Sequence, residues 1–397
     1  MNSNQVRVIA FYLPQYHPTA ENDQWWGKGF TEWTNVGKAR PLFHGHYQPR
    51  VPADLGYYDL RVPETRIEQA EMAEKYGVEG FCYWHYWFGN GRQLLQRPFQ
   101  EVLASGKPDF PFCLSWANHS WEDKQFSKEG THRVLMEQLY PGEADETAHF
   151  NTLLPAFKDH RYICVDGKPV FMVYNPFELP DAKRFIGLWQ KLARENGLKG
   201  IHFIGQTNNA NEVQVLKGMG FDAVNIVRLF DFFKQDYSLL EKVHMKAMRI
   251  IFKRGRVVDY ARAAKFFTGN EDRETDCYPT IIPNWDHSPR SGRKGHILIH
   301  STPEKFKKHI LQTFANVIHK PEDKRIVFLK SWNEWAEGNY MEPDLKFGLS
   351  YLEALKEAMT ETSNKAMKEV SNEALNEATN EALNEATNEA LNETSQK

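Results

Sequence analysis

The chain has 397 residues and a formal net charge of −3. That length accommodates one large domain or two ordinary ones, and the near balance of charge argues against nucleic acid as a partner. No apolar stretch approaches the ~20 residues of a membrane span, so no integral membrane segment is expected. Aromatic residues make up 13% of the chain, with 11 Trp, which suits a large aromatic core and equally the lining of a site for a flat ligand. Cys82, Cys113, Cys164 and Cys277 are widely separated, with no CxxC or Cys/His spacing. The histidines are scattered, and no pair at i, i+4 has a third ligand in view. No metal and no cofactor are therefore expected. Met1 leads into a strand-like segment with no signal-peptide apolar region, which reads as a cytoplasmic protein.

Taken in chain order, short apolar, β-branched or aromatic runs fall at 6–13, 78–84, 110–116, 170–174, 201–205, 223–227, 280–283 and 326–329. Helix signals lie between them: Pro63-Glu64 opens a segment that runs to Gly77, and 93–104, 145–157, 181–196 and the short 212–217 follow. A long stretch over 237–267 reads as one or two helices. Thr302-Pro303-Glu304 starts another with Pro in the first turn, and 349–359 is the last. Continuously apolar strands alternating with helices predict a parallel sheet, and eight such units predict an α/β fold, a (β/α)₈ TIM barrel. The barrel is assigned to residues 1–360. From Ser363 the Asn-Glu-Ala-Leu and Asn-Glu-Ala-Thr units repeat every four residues, which spreads each residue type slowly round a helix axis. Residues 361–397 are thus expected to form a low-complexity tail, partly helical or disordered. The segment 242–265 is basic, with Lys242, Lys246, Arg249, Lys253, Arg254, Arg256, Arg262 and Lys265. It reads first as a solvated helical face and second as a surface for anionic lipid or an acidic glycan, through which a peripheral membrane contact would be made.

In a (β/α)₈ barrel the loops after the strand C-termini build the site. Here those loops carry Tyr12, Gln15, Tyr16 and His17; then Trp84, His85, Tyr86 and Trp87; then Trp116, Asn118, His119 and Trp121. Further on come Tyr174, Gln206 and Asn208, Asn225 and Arg228, and Asn284-Trp285-Asp286. The first loop is long, about 15–62, and holds Trp25, Trp26, Glu32, Trp33 and Asn35. Loops of that size in compact barrels are usually functional, so it is expected to cap the site. The eighth strand ends in Ser331-Trp332-Asn333-Glu334-Trp335-Ala336-Glu337-Gly338. Ionisable groups are costly to bury without partners, so Glu334 and Glu337 beside Trp332 and Trp335 suit a sugar site. Carboxylates would do acid and base work there, and indoles would offer flat platforms.

Ala10-Phe-Tyr-Leu-Pro-Gln-Tyr-His-Pro18, Gly29-Phe-Thr-Glu-Trp-Thr-Asn35, Pro283-Asn-Trp-Asp286 and Ser331-Trp-Asn-Glu-Trp-Ala-Glu-Gly338 together resemble the WbsX family, over roughly residues 6–355. Its domain is similar to glycoside hydrolase family 99, and its members are named as glycosyltransferases of bacterial surface-polysaccharide (O-antigen, lipopolysaccharide) clusters. The resemblance implies an oligo- or polysaccharide substrate with an α-linked manno-configured sugar (mannose or rhamnose), whose 2-oxygen lies anti to the leaving group. It also implies a retaining route through a 1,2-anhydro sugar. Glu334 would take the proton of the 2-hydroxyl, and Glu337 would protonate the leaving oxygen and later activate the acceptor. One departure is Ala336, where family 99 usually has His.

On this assignment Glu337 should have a raised pKa and Glu334 should stay ionised. A shift from ~4.3 to ~6.5 costs about 3 kcal/mol of differential interaction, which burial by tryptophan and a neighbouring carboxylate can supply. The alternatives are a sugar-nucleotide-dependent glycosyltransferase and a non-catalytic glycan-binding barrel. Against the transferase, the sequence has no glycine-rich phosphate loop after a strand and no Asp-x-Asp metal motif. Tyr12, Gln15, Tyr16, Trp33, Asn35, Trp84, His85, Trp116, Asn118, Tyr174, Gln206, Trp285, Asp286, Trp332, Asn333 and Trp335 are the expected substrate-binding residues around the catalytic pair.

Overall fold

The computed structural model describes residues 5–123, 133–234, 243, 247 and 256–368. Eight parallel strands form its centre: β1 Arg7–Tyr12, β2 Gly80–Trp87, β3 Phe112–Trp116, β4 Lys168–Val173, β5 His202–Thr207, β6 Ala223–Ile226, β7 Cys277–Ile281 and β8 Ile326–Leu329. Each pairs in parallel with the next. The ring closes where β8 pairs with β1, Arg7 opposite Ile326 and Ala10 opposite Leu329. This is a (β/α)₈ barrel, as the eight alternating units predict. All eight residues of β2 (GFCYWHYW) are buried, because barrel strands face side chains inside and helices outside. Closure leaves no free edge in the ring.

The helices form because their apolar residues repeat at helical spacing and their ends are capped. In Ala182–Glu195, Asp181 accepts from the Arg184 N–H, and Phe185, Ile186, Trp189 and Ala193 make the buried stripe. In Pro303–Val317, Thr302 caps the start and Phe306, Ile310, Phe314 and Val317 face the barrel. Two expected helices need amendment. The segment 93–104 begins with a two-residue strand, Gln93–Leu94, antiparallel to the end of β2, and the helix is Arg97–Ser105. Of 237–267, the part from 256 on holds a short strand, Val257–Asp259, and a single-turn helix, Tyr260–Ala264. That strand pairs with Ile297–Ile299 beside a second, smaller apolar cluster that includes Leu229, Tyr260, Phe267, Ile282 and Trp285. Half of the basic stretch 242–265, including Lys242, Lys246, Arg249, Lys253 and Arg254, lies outside the described residues, as do the repeats from 369 on. The last described helix spans 350–368. Among the described residues no helix is long and apolar enough to cross a membrane.

The long first loop contains two short helices, Ala20–Trp26 and Glu32–Lys38. It lies against the loops after β7 and β8. Asp286, fully buried, accepts from His46 Nε2 at 2.9 Å and Gln48 Nε2 at 2.7 Å, with Arg50 at 3.7 Å. Burial alone would raise the Asp286 carboxyl; His46 and Arg50 overcome it and hold the group at about 2.

Candidate active site

At the C-terminal mouth of the barrel is a cavity of about 480 Å³, in the range of small-molecule sites. Glu334 and Glu337 both line it. The residues between them form one turn of 3₁₀ helix, Trp335–Glu337, for which Glu334 is the N-cap. Side chains three apart eclipse in such a turn, which brings the two carboxylates to one side while Trp335 and Ala336 face the interior. The turn is the tip of a tight hairpin, Asn333 opposite Tyr340 and Glu334 opposite Asn339. Gly338 closes it with φ +59°, and a Cβ there would stand 2.6 Å from Asp286 Cβ.

Glu334 is 6% exposed and accepts from Trp84 Nε1 at 3.1 Å. Burial and the neighbouring Glu337 push its carboxyl up to about 8. For Glu337, burial also pushes upward. The Arg290 guanidinium, bonded directly to its Oε1, overcomes that, with help from Glu334 and His287, and holds Glu337 well below the usual carboxylate range. These directions run opposite to the expected order: the surroundings raise Glu334 and lower Glu337. The reason is Arg290, which follows Trp285-Asp286 in the β7 loop and has no motif signal. Its Nε also donates to Glu32 Oε1 at 2.8 Å, so one guanidinium joins the loops of β1, β7 and β8. Lys330, between β8 and the turn, is the second cation on the wall, 5.9 Å from the Trp84 ring centroid and 5.6 Å from that of Trp285.

Of the sequence-predicted substrate contacts, Gln15, Asn35, Trp84, Tyr174, Gln206 and Trp285 line the cavity with the two Glu. The others stand behind it. Asn333 clamps β1, accepting from Leu13 N at 2.7 Å and donating to Leu13 O at 3.0 Å. Tyr16 donates to the Asn333 carbonyl and accepts from Trp335 N at 3.3 Å. Trp335 stacks on Tyr340 at 3.8 Å and donates to Glu342 at 2.6 Å, and Trp332 packs against Phe81 at 5.3 Å. Tyr12 donates to Gln69 at 2.6 Å, and Gln69 in turn to Glu342 at 2.6 Å. Trp33 donates to the Tyr58 carbonyl at 2.8 Å.

His85 faces outward, 2.8 Å from His149, with burial lowering it to about 3. Trp116 donates to the Trp87 carbonyl at 2.9 Å, and Asn118 bridges to the Asn175 backbone at 2.7 and 2.8 Å. Asp286 serves the loop anchor described above. Glu32, a third candidate carboxylate on the first loop, and His119, a candidate hydrogen-bond partner of sugar on the β3 loop, line the cavity as well, whereas Trp26, Phe30, Tyr86, Trp121, Asn208, Phe230, His287, Arg290 and Lys330 line it but were outside the expected contact set. Several of these sit in strand-end loops, which was their only sequence signal. Of the remaining polar strand-end residues, Arg228 pairs with Glu271 and Asp272 instead.

Among the described residues one trio could hold a metal ion: Glu274, Asp276 and Cys277. It lies at the start of β7, and Lys217 Nζ already sits 2.8 Å and 2.9 Å from its two carboxylates.

A parallel barrel with aromatic walls and a carboxylate pair at its C-terminal mouth defines a (β/α)₈ barrel protein with a candidate acid–base site. The chain belongs to the WbsX glycosyltransferase family, whose model (Glycosyltransferase WbsX) matches residues 8–355. It is 36% identical over 356 residues to the uncharacterized protein WxcX from two Xanthomonas campestris pv. campestris strains, ATCC 33913 and B100. The match covers 89% of this chain and 49% of WxcX, so the chain spans about half the length of those relatives. In fold it is similar to a glycoside hydrolase-like protein (TM-score 0.56, 15% identity, 90% of this chain and 95% of that one). It is likewise similar to the GH99 endo-alpha-mannosidase of Bacteroides thetaiotaomicron (TM-score 0.53, 15% identity, 90% and 98%).

Proposed function

We propose that this chain is a glycan-processing enzyme of bacterial surface-polysaccharide metabolism. It would cleave or transglycosylate an α-linked, manno-configured glycan with retention, through a 1,2-anhydro sugar. The observation that carries this reading is the placement of the pair. Glu334 and Glu337 line one cavity from one 3₁₀ turn, where burial and Glu337 raise Glu334 while Arg290 holds Glu337 low. A route in which one carboxylate takes the 2-hydroxyl proton and the other gives a proton to the leaving oxygen starts from that state.

The motif assigns the base role to Glu334 and the acid role to Glu337, whereas their surroundings raise Glu334 and lower Glu337. The proposal therefore includes a rearrangement on sugar binding. Arg290 releases Glu337, and the proton passes from Glu334 to Glu337 across the turn that carries both. Glu334, now charged, faces the 2-hydroxyl.

Glu334→Gln and Glu337→Gln should each cut turnover of a natural glycan by at least about 10²-fold, a typical size for loss of a general acid or base, with melting temperatures kept. A glycosyl fluoride, whose leaving group needs little proton assistance, separates the roles: it should restore Glu337→Gln but not Glu334→Gln. Restoration of Glu334→Gln alone would mean that the resting protonation is also the working one. Near wild-type activity in either variant would end the reading.

The family's own description favours a second reading, transfer from a nucleotide-activated sugar. Calorimetry with nucleoside diphosphates and nucleotide sugars decides it, tight binding favouring the transferase.

A further inference from the structure

Several polar atoms on the cavity wall have no protein partner among the described residues. Glu334 Oε2 and Gln206 Oε1 are buried oxygens without a hydrogen-bond partner, and Trp285 Nε1 is a buried donor without an acceptor. Glu334 is 6% and Gln206 5% exposed, and both line the cavity with Trp285. Gln206 is fixed by its amide, which donates to Asn225 Oδ1 at 2.9 Å. Asn225 is itself held by the Tyr278 carbonyl and Thr280 Oγ1 at 2.8 and 2.9 Å. The Gln206 carbonyl oxygen is therefore held in place and unfilled.

Lys330 is the fourth such group. Its ammonium stands near the faces of Trp84 and Trp285, and among the described residues no hydrogen-bond acceptor or ion-pair partner lies in reach of it. Arg290, by contrast, already pairs with both Glu32 and Glu337. An ammonium is expensive to desolvate. The charge of the Glu pair offsets that cost and keeps Lys330 protonated, its pKa raised despite burial. Three donors on a fixed cation, beside an indole of the pocket and next to the reacting carboxylates, are useful where negative charge develops during reaction.

We propose that Lys330 is a catalytic residue that donates a hydrogen bond to the 2-oxygen of the reacting sugar, with Gln206 Oε1 accepting from a neighbouring ring hydroxyl. This rests on the functional reading above. As the 2-hydroxyl proton passes to the base carboxylate, the O2–C1 bond forms and the C1–leaving-oxygen bond breaks. The leaving oxygen takes the proton of the acid carboxyl. Lys330 keeps all its protons throughout and stabilises the charge on O2. The same ammonium would discriminate against sugars that lack a 2-hydroxyl.

The test compares methyl α-mannoside with its 2-deoxy analogue by calorimetry on wild type and Lys330→Met, with Lys330→Gln as a second variant should the first melt early. Wild type should prefer the 2-hydroxy sugar by about tenfold or more, the size of one hydrogen bond to a charged group. The variants should show a preference within about twofold. Turnover of α-mannosyl fluoride should fall by about 10²-fold in the variants, beyond a rise in KM of about the factor lost in binding, because most of the charge appears only in the transition state. Equal affinity of wild type for the two sugars overturns the inference, as does a full preference retained by the variants. Failure of the functional reading looks different: Glu334→Gln and Glu337→Gln would then keep turnover, whatever the 2-hydroxy preference. Wild type that binds neither sugar and spares the fluoride overturns both.

Discussion

Arg290 Nε lies 2.8 Å from Glu32 Oε1, and the same guanidinium bonds Glu337. A residue of the first loop is thereby tied, through one side chain of the β7 loop, to the charge state of the β8 turn. Substituting Arg290 by Met should let the Glu337 carboxyl rise, since its main counter-charge is gone. Activity that depends on a charged carboxylate in the pair would then lose its acid limb at higher pH. The limb of the kcat/KM profile should move up by about one unit or more; an unmoved limb would separate Arg290 from the pair's titration.

The alkaline limb belongs to Glu334. Its carboxyl sits at about 8 because of burial and Glu337, and above that pH the pair holds no proton to give. Activity should fall as pH rises through about 8. Lys330→Met should carry this limb higher, because Lys330 lowers the Glu334 value. A rate–pH profile on wild type and the variant checks both.

Glu342 offers a stability measurement. It is 2% exposed and accepts from Trp335 Nε1 at 2.6 Å, Gln69 Nε2 at 2.6 Å and Tyr58 OH at 2.9 Å. Burial nevertheless raises its carboxyl to about 7. A carboxyl whose folded pKa lies above its unfolded value stabilises the fold most below the unfolded value, and that contribution is lost as pH rises through the folded one. From near pH 4.5 to above pH 7, wild type should lose on the order of 3 kcal/mol from this group. Urea midpoints at pH 5 and pH 8 should diverge less in Glu342→Gln than in wild type.

Gly338→Ala tests the hairpin tip. The left-handed φ costs a non-glycine residue about 1–2 kcal/mol, and the new methyl would collide with Asp286 Cβ. The variant should be destabilised by about 3 kcal/mol in all, with activity reduced even at temperatures where it stays folded.

The barrel was legible because its strands are buried on both faces and therefore read as short apolar runs. Ile326–Leu329 illustrates this, its four residues buried and its bounds those of the apolar run. The acidic pair was legible because two carboxylates and two indoles crowd one strand end. The division of those aromatics was not. Trp84 and Trp335 look alike in sequence, yet one faces the cavity and the other is fixed behind it by Glu342 and Tyr340. Only the register of the closed barrel decides which. Arg290 was hidden for a different reason: its partners Glu32 and Glu337 are brought to it from the first and last loops, and no local spacing records that. The direction of the proton followed from Arg290 and was missed with it. At the first loop, size alone signalled a wall over the site, while its anchorage on Asp286 depended on contacts more than two hundred residues away.

Asn333, the neighbour of Glu334, is held by both backbone groups of Leu13. The start and the end of the barrel thus meet under the acidic pair, and on the proposed function a growing polypeptide has no working centre until its eighth strand has been made and has found the first. A nascent or truncated chain, however well its early βα units fold, would then be chemically silent toward glycans.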